Sequence, residues 1–337
     1  MRILVTAPYN EAGLKELENN FGEVIYRPWK INDRAYNETE LLALLYETEA
    51  DALITEHDTV SRNVIQANGH LQFIGVCRGT PSNVDITAAS ENGIPVFFTP
   101  ARNAQAVAEM FIANVITFMR GTVDSMEWLK SRKWTAGAHT SYIQFKGSEL
   151  AGKTVGLVGF GAIGQLIARL IEPFPCKILF YDPFIKSNAF PAYEQTGLEN
   201  LFSTADIVSI HLPVNAETIG MIGMDLLKLM KPEALLVNTA RAVVVDREDL
   251  YTVLSQNRIR GAILDVFDKE PPDELDYRII DLPNVLATPH IAGATHEVED
   301  HHVQILNDAL SMYFVQQIRS GRKLANPEIL QDLKNVK

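Results

Sequence analysis

Three glycines recur in Gly159-Phe160-Gly161-Ala162-Ile163-Gly164, directly after the apolar run Val155-Gly156-Leu157-Val158. A helix-like stretch opens near Ala162. A strand that feeds a helix through G-x-G-x-x-G is the context in which a dinucleotide pyrophosphate is held. Gly159 permits the tight turn, Gly161 lets the phosphates approach the backbone, and Gly164 lets helix and strand pack closely. Beyond them, Ala162 and Ile163 offer N–H groups and partial positive charge at a helix N-terminus. A second apolar run ends in Tyr181-Asp182-Pro183, which puts Asp182 18 residues after Gly164. That spacing suits a carboxylate accepting from the adenosine ribose hydroxyls and repelling a 2′-phosphate, so it favours NAD over NADP. An ordinary glycine-rich turn is the bland alternative, and the correctly spaced acid weighs against it.

Three more titratable residues follow later strand-like runs. Arg241 follows Val237-Asn238-Thr239-Ala240, Glu270 lies in Asp265-Val266-Phe267-Asp268-Lys269-Glu270-Pro271, and His290 lies in Thr288-Pro289-His290-Ile291-Ala292-Gly293. Open α/β sheets bind ligands outside the carboxyl ends of their strands, so all three can converge beside a nicotinamide. Taken singly, each has a bland reading: a surface arginine, a solvated loop glutamate, a structural histidine. Their joint occurrence after a dinucleotide fingerprint shifts the balance toward proton-coupled hydride transfer. Such chemistry needs a proton donor beside an alkoxide-like oxygen. A carboxylate neighbour favours the imidazolium, and an arginine fork matches a substrate carboxylate.

With these residues in view, the chain resembles the D-isomer-specific 2-hydroxyacid dehydrogenases, most closely their phosphoglycerate-dehydrogenase-like branch. The matching segments are Glu149-Leu150-Ala151-Gly152-Lys153-Thr154-Val155-Gly156, the glycine loop, Tyr181-Asp182-Pro183, His211-Leu212-Pro213, Asn238-Thr239-Ala240-Arg241, Leu264-Asp265-Val266-Phe267, Glu270-Pro271 and Thr288-Pro289-His290. Nearer the start, Gly93-Ile94-Pro95-Val96 and Val107-Ala108-Glu109 match as well. The resemblance implies that Arg241 binds the substrate carboxylate and polarises the carbonyl, that His290 is the general acid–base, and that Glu270 orients it. It also implies that Asp265 contacts the nicotinamide amide. Thr80, Leu212, Pro213, Thr239, Ala240, Ala292 and Gly293 would line the cofactor site, with Arg241 and His290 beside them. Implied with these is NAD-dependent interconversion of a D-2-hydroxy acid and its 2-oxo acid. A formate dehydrogenase is disfavoured because that family pairs its histidine with glutamine, whereas Glu270 stands here. A glyoxylate or hydroxypyruvate reductase is a further alternative; an NADP-linked one is weakened by Asp182, with Lys186 the nearest following basic residue. A non-catalytic NAD(H)-sensing protein of the same fold is another.

For the substrate, the loop Val76-Cys77-Arg78-Gly79-Thr80-Pro81-Ser82-Asn83 offers backbone N–H groups that can cradle a carboxylate. Arg78 and Gly79 are substrate candidates there, and Arg102-Asn103 form a second candidate pair opening a long helix. Two extra cations would suit a phosphorylated acid such as 3-phosphoglycerate. Yet Trp134 is followed by Thr135 and Ala136, where the phosphoglycerate enzymes often carry an arginine, which disfavours that substrate. The end of the sequence at Lys337 leaves no room for an added regulatory domain of ~100 residues. His296, Glu297, Asp300, His301 and His302 have helical spacings that could hold a metal, but they are read as a solvated helix face and no metal is expected. Cys77 and Cys176 are read as small fillers, and Glu109 as structural.

The elements that must position these residues follow from pattern. Strands are expected over 3–5, 24–26, 52–54, 73–76 and 96–98, with helices over 11–19, 38–47 and 83–90, then a long helix over 104–120. A second block has strands over 154–158, 177–181, 207–211, 235–238, 262–265 and 285–287. Strands alternating with helices imply parallel sheets covered on both faces. The fold class is therefore α/β with two doubly wound domains, a Rossmann-type NAD domain inserted in a flavodoxin-like substrate domain. The expected boundaries are 1–101 with 294–337 for the substrate domain and 102–293 for the NAD domain, with a closing helix from 297 to about Ser320. Residues 121–150, with Trp128, Trp134, Tyr142 and Phe145, read as a helix plus an arm that either packs locally or contacts a second subunit, giving a homodimer. The 337 residues carry a formal charge of −12, which argues against nucleic acid or an anionic membrane as partner. Two cysteines and the lack of a signal-like start point to the cytoplasm.

Overall fold

A computed structural model describes residues 1–186, 188–319 and 321–332. Ser187, Ser320 and residues 333–337 lie outside it, and with them the expected helix end near Ser320 and the expected domain end at 337. The chain forms two compact units, Met1–Asn103 with Thr295–Lys337, and Ala104–Ala294.

In the first unit, strands β1 (Arg2–Val5), β2 (Glu23–Tyr26), β3 (Ala52–Thr55), β4 (Ile74–Val76) and β5 (Val96–Phe98) pair in parallel in the order β2-β1-β3-β4-β5. Alternation along β1 shows why the strands read as unbroken apolar runs. Ile3 and Val5 join one core with Phe73, Phe97 and Leu306, while Leu4 joins another with Leu41, Leu53 and Ile65. A sheet covered on both faces must be apolar at every position. The helix Glu297–Leu310 covers the first face with Val303, Leu306 and Leu310. Asn307 fastens it, donating to Gly13 O at 3.1 Å and accepting from the Tyr9 hydroxyl at 2.9 Å. A π-helical turn over Ser311–Val315 follows.

In the second unit, β6 (Thr154–Val158), β7 (Lys177–Tyr181), β8 (Glu194–Gln195), β9 (Ile207–Ile210), β10 (Leu235–Asn238), β11 (Gly261–Leu264) and β12 (Val285–Ala287) form a parallel sheet ordered β12-β11-β10-β9-β6-β7-β8. Strand order reverses at β6, whose neighbours are β7 and β9. That is the switch point at which a doubly wound sheet opens a binding crevice. The helix Ala104–Met119 packs Phe111 and Val115 against the same core as Phe160 and Ile167. Among the described residues, no single helix is long and apolar enough to cross a membrane.

Several elements differ from the sequence expectation. Helices Arg62–Ala67 and Glu274–Ile280 and the two-residue β8 had no counterpart in it. Each helix is short and is started by a local cap, Ser61 or Asp273, rather than by a long apolar stripe. The arm holds two helices, Thr122–Lys130 and Ala138–Gln144. Its aromatics pack locally, with Trp128 5.4 Å from Phe145 and 6.0 Å from Trp134 between ring centroids. The first boundary falls two residues later than expected, because Arg102 is held by Glu56 and His302 of the first unit. The second falls one residue later, at Ala294.

Candidate active site

Adjacent strands β12, β11 and β10 lead to His290, the Glu270 loop and Arg241, so topology brings all three to one edge of the sheet. The turn after β12 is set by Asp265, which follows β11 and is fully buried. Its carboxylate accepts from the Thr288 hydroxyl at 2.5 Å, from Ile291 N–H at 2.9 Å and from Ala292 N–H at 2.8 Å. A buried charge with three donors is satisfied in place. These bonds bracket His290 on both sides and impose on it a left-handed φ of 53°. For a side-chain-bearing residue such a conformation costs of order 1–3 kcal/mol and persists only where the surroundings over-determine it. The observed hydrogen bonds of Asp265, which was expected to contact a nicotinamide amide, shape the His290 turn.

His290 Nδ1 lies 2.8 Å from each carboxylate oxygen of Glu270. Both side chains are nearly half exposed, at 47% and 43%. The Glu270 carboxylate also accepts from Phe267 N–H at 3.4 Å. With Nδ1 committed, the imidazole presents Nε2 as its working atom. Arg241 is exposed, and one terminal nitrogen donates to Ala240 O at 2.7 Å. Asn238 shapes the turn that carries it, donating to Arg241 O at 3.0 Å and accepting from Ala240 N–H at 3.1 Å.

Around the switch point, the residues fit a dinucleotide. Gly159 has φ +91°, and a Cβ there would lie 2.6 Å from His211 O. A Cβ on Gly164 would lie 2.6 Å from Gly159 O, whereas one on Gly161 would meet open space. Gly161 caps the helix Ala162–Ile171 without a side-chain acceptor, so Ala162 and Ile163 open a helix whose first N–H groups await a partner. Asp182 braces the loop, accepting from Phe160 N–H at 2.9 Å and Phe184 N–H at 3.0 Å. Two buried polar atoms at neighbouring strand ends lack partners, Thr239 Oγ1 and His211 Nδ1. Burial pushes the His211 imidazole down to about 3, so it is neutral. Leu212 and Ala292 are buried, Ala240 and Gly293 are half-buried, and Pro213 is exposed while its carbonyl accepts from the Thr218 hydroxyl at 2.7 Å. Orphaned polar atoms beside an open glycine cradle are what a bound cofactor would complete.

The carboxyl edge of the first unit's sheet holds Arg78, Gly79 and Thr80 after β4, and Arg102 and Asn103 after β5. Arg102 departs from its expected role as a spare cation. It is 16% exposed and bonds Glu56 at 2.6 Å and His302 Nδ1 at 3.0 Å. Burial pushes the Glu56 carboxyl up, but the Arg102 guanidinium outweighs it and holds the group below its usual value. His302 also departs from expectation. It was read on a solvated helix face, yet it is fully buried, with Nε2 2.8 Å from Pro8 O. Its position on the inward side of an amphipathic helix was the available signal. Glu56 and Trp29, whose indole donates to Glu56 at 3.1 Å, carry no sequence motif and were not anticipated. Cys77 is fully buried, and burial pushes its thiol well up.

Residues 112–292 match the family described as D-isomer specific 2-hydroxyacid dehydrogenase, NAD binding domain. The chain is 56% identical over 331 residues to a protein of Bacillus subtilis (strain 168) named putative 2-hydroxyacid dehydrogenase YoaD, covering 98% of this chain and 96% of that one. It is 36% identical over 253 residues to a hydroxypyruvate reductase of Thermotoga maritima, covering 74% and 80%. Among solved structures, an acyclic imino acid reductase (Bsp5) in complex with NADPH and D-Arg superposes with a TM-score of 0.78 at 28% identity, covering 97% and 99%.

Proposed function

This chain belongs to the D-isomer-specific 2-hydroxyacid dehydrogenase family and is an NAD-dependent oxidoreductase; from that premise we propose that it interconverts an unphosphorylated 2-oxo acid and its D-2-hydroxy acid, with His290 as the acid–base. The pairing of His290 Nδ1 with both Glu270 oxygens at 2.8 Å carries this reading. The cofactor, when bound, supplies or accepts the hydride. His290 Nε2 gives a proton to the carbonyl oxygen in reduction and takes the hydroxyl proton in oxidation. Glu270 holds the imidazole in the orientation that frees Nε2. Arg241, exposed at the end of β10, offers its remaining guanidinium donors to the substrate carboxylate as a two-pronged fork. Gly159, Gly161, Gly164, Ala162 and Ile163 hold the pyrophosphate, Asp182 the ribose, and Thr239, Ala240, Leu212, Pro213, Ala292 and Gly293 the remaining cofactor surface.

The choice of an unphosphorylated substrate rests on Arg102. Its charge is balanced by Glu56 at 2.6 Å, which leaves less field for a phosphate dianion than two unopposed arginines would. Short 2-oxo acids of the glyoxylate and hydroxypyruvate class fit this balance. The arm is the proposed surface of a homodimer, since Val123, Met126, Leu129, Trp134, Tyr142 and Ile143 are exposed on it.

The deciding assay follows NADH oxidation at 340 nm with glyoxylate, hydroxypyruvate, pyruvate, 2-oxoglutarate and a phosphorylated three-carbon 2-oxo acid, with NADPH in parallel. Turnover of unphosphorylated acids with NADH is expected. A preference for the phosphorylated acid would overturn the substrate reading and return Arg102 to a phosphate role. Tight NADH binding with no turnover of any 2-oxo acid would overturn the catalytic one.

A further inference from the structure

Glu270 has little of its own to hold it. Beyond His290 its carboxylate receives one long backbone bond, and its side chain is 43% exposed. Its placement must come from the loop Asp268-Lys269-Glu270-Pro271-Pro272-Asp273. Both ends of that loop converge on one residue outside it, Arg247, the first residue of the helix Arg247–Ser255. Arg247 Nε lies 3.2 Å from Asp268, and one terminal nitrogen lies 3.0 Å from each oxygen of Asp273. The same nitrogen is 3.6 Å from Asp276, a nearly fully buried carboxylate. Asp276 in turn accepts from Lys269 N–H at 3.4 Å and from Asp273 N–H at 3.3 Å.

We propose that Arg247 is a positioning residue of the active site, a cationic pin that gathers Asp268, Asp273 and Asp276 and so sets where the loop delivers Glu270 to His290. The charge arithmetic supports the geometry. Three carboxylates around one short loop would repel one another and push the loop open, and a single guanidinium with several fixed donors answers all three. Lys269, 3.5 Å from Asp273, is 70% exposed and cannot reach all of them. The helix that carries Arg247 starts on its own cap, Asp246, which accepts from Asp249 N–H at 3.0 Å, so the pin is anchored independently of the loop it holds.

This inference rests on the acid–base role given to His290 and Glu270, and the test separates the two. Arg247→Gln, Arg247→Lys, Glu270→Gln and the double variant Arg247→Gln/Glu270→Gln are compared in the full chain. Arg247→Gln is expected to lower kcat roughly ten- to hundredfold, the scale of a small misplacement of a catalytic group, with KM nearly unchanged. Arg247→Lys should recover part of the lost kcat, again with KM nearly unchanged. The double variant should be no slower than Glu270→Gln alone, since a residue that acts through another adds nothing once that other is gone. Should Arg247→Gln fold poorly, Asp268→Asn loosens only the near end of the loop and should lower kcat the same way, less far. A change in melting temperature with an unmoved kcat, or additive losses in the double variant, would overturn the pin and leave the His290–Glu270 pair standing. A Glu270→Gln enzyme with unchanged kcat would instead overturn the pair itself.

Discussion

At the scale of single residues, the proposed chemistry concentrates in His290, Glu270, Arg241 and Asp182. In that proposal, replacing His290 with alanine removes the atom that exchanges the substrate proton and leaves the glycine loop in place. A fall in kcat of about 10²–10⁴-fold is expected, the usual worth of general acid–base catalysis. NADH affinity, read by fluorescence titration, should stay within a few-fold. Unchanged turnover would sink the proton-transfer role. Asp182 poses a separate question, because its oxygens brace the loop and are also proposed to hold the ribose. Asp182→Ala should weaken NADH binding and raise activity with NADPH relative to NADH, measured as the ratio of kcat/KM values. A ratio that does not move would reduce Asp182 to its hydrogen bonds with Phe160 and Phe184.

Elements act through turns whose backbones have one acceptable arrangement. In the turn after β6, Gly159→Ala meets two obstacles, φ +91° and a contact of 2.6 Å with His211 O. Left-handed strain costs of order 1–3 kcal/mol, and the carbonyl cannot move without disturbing β9. Lower stability in denaturant and weaker NADH binding are expected together; a variant of wild-type stability would contradict the close approach. In the turn after β12, Asp265→Asn places an amide N–H against a backbone N–H at either Ala292 or Ile291. Leaving a buried donor unpaired costs about 1–3 kcal/mol. Here kcat should fall with stability, since the same bonds hold His290 in its left-handed turn. Loss of stability with full activity would show that the turn's conformation is held by something other than Asp265.

For the whole molecule, charge and exposed surface give two expectations. Burial pushes both His211, in the second unit, and His302, in the first, below the ordinary histidine value of 6.5. A histidine depressed in the folded state takes up its proton only on unfolding, so both states are alike above pH 6.5 and stability is lost as pH falls below it. For His211 the loss continues to about 3, its folded value. Denaturant midpoints should therefore drop between pH 7 and pH 5, and His302→Gln should flatten part of that drop; a midpoint independent of pH would refute it. The second expectation concerns the arm. Charged substitutions at Ile143 and Tyr142, exposed at 70% and 72%, should convert a dimer to monomer in sedimentation velocity, whereas a wild-type monomer would remove the dimer proposal.

How much of this was legible beforehand varied with the range of the interaction. The sequence by itself determined the strands other than the two-residue β8, the glycine cradle, the spacing to Asp182 and the order Arg241, Glu270, His290. Each is a local pattern, set by period, turn residue or distance along the chain, and a parallel sheet forces its strand ends to one edge. Tertiary structure alone decided how charge was spent. Arg102 looked like a spare cation until Glu56, 46 residues earlier, and His302, 200 residues later, were brought against it. That the Asp265 carboxylate also holds the turn after β12 was settled only when Thr288, Ile291 and Ala292 were brought against it. Arg247 carries no motif, although it gathers carboxylates from a loop more than 20 residues on. Pairing between distant charges leaves no periodic trace in a sequence, because it depends on which groups burial strips of water and which partners remain to replace it.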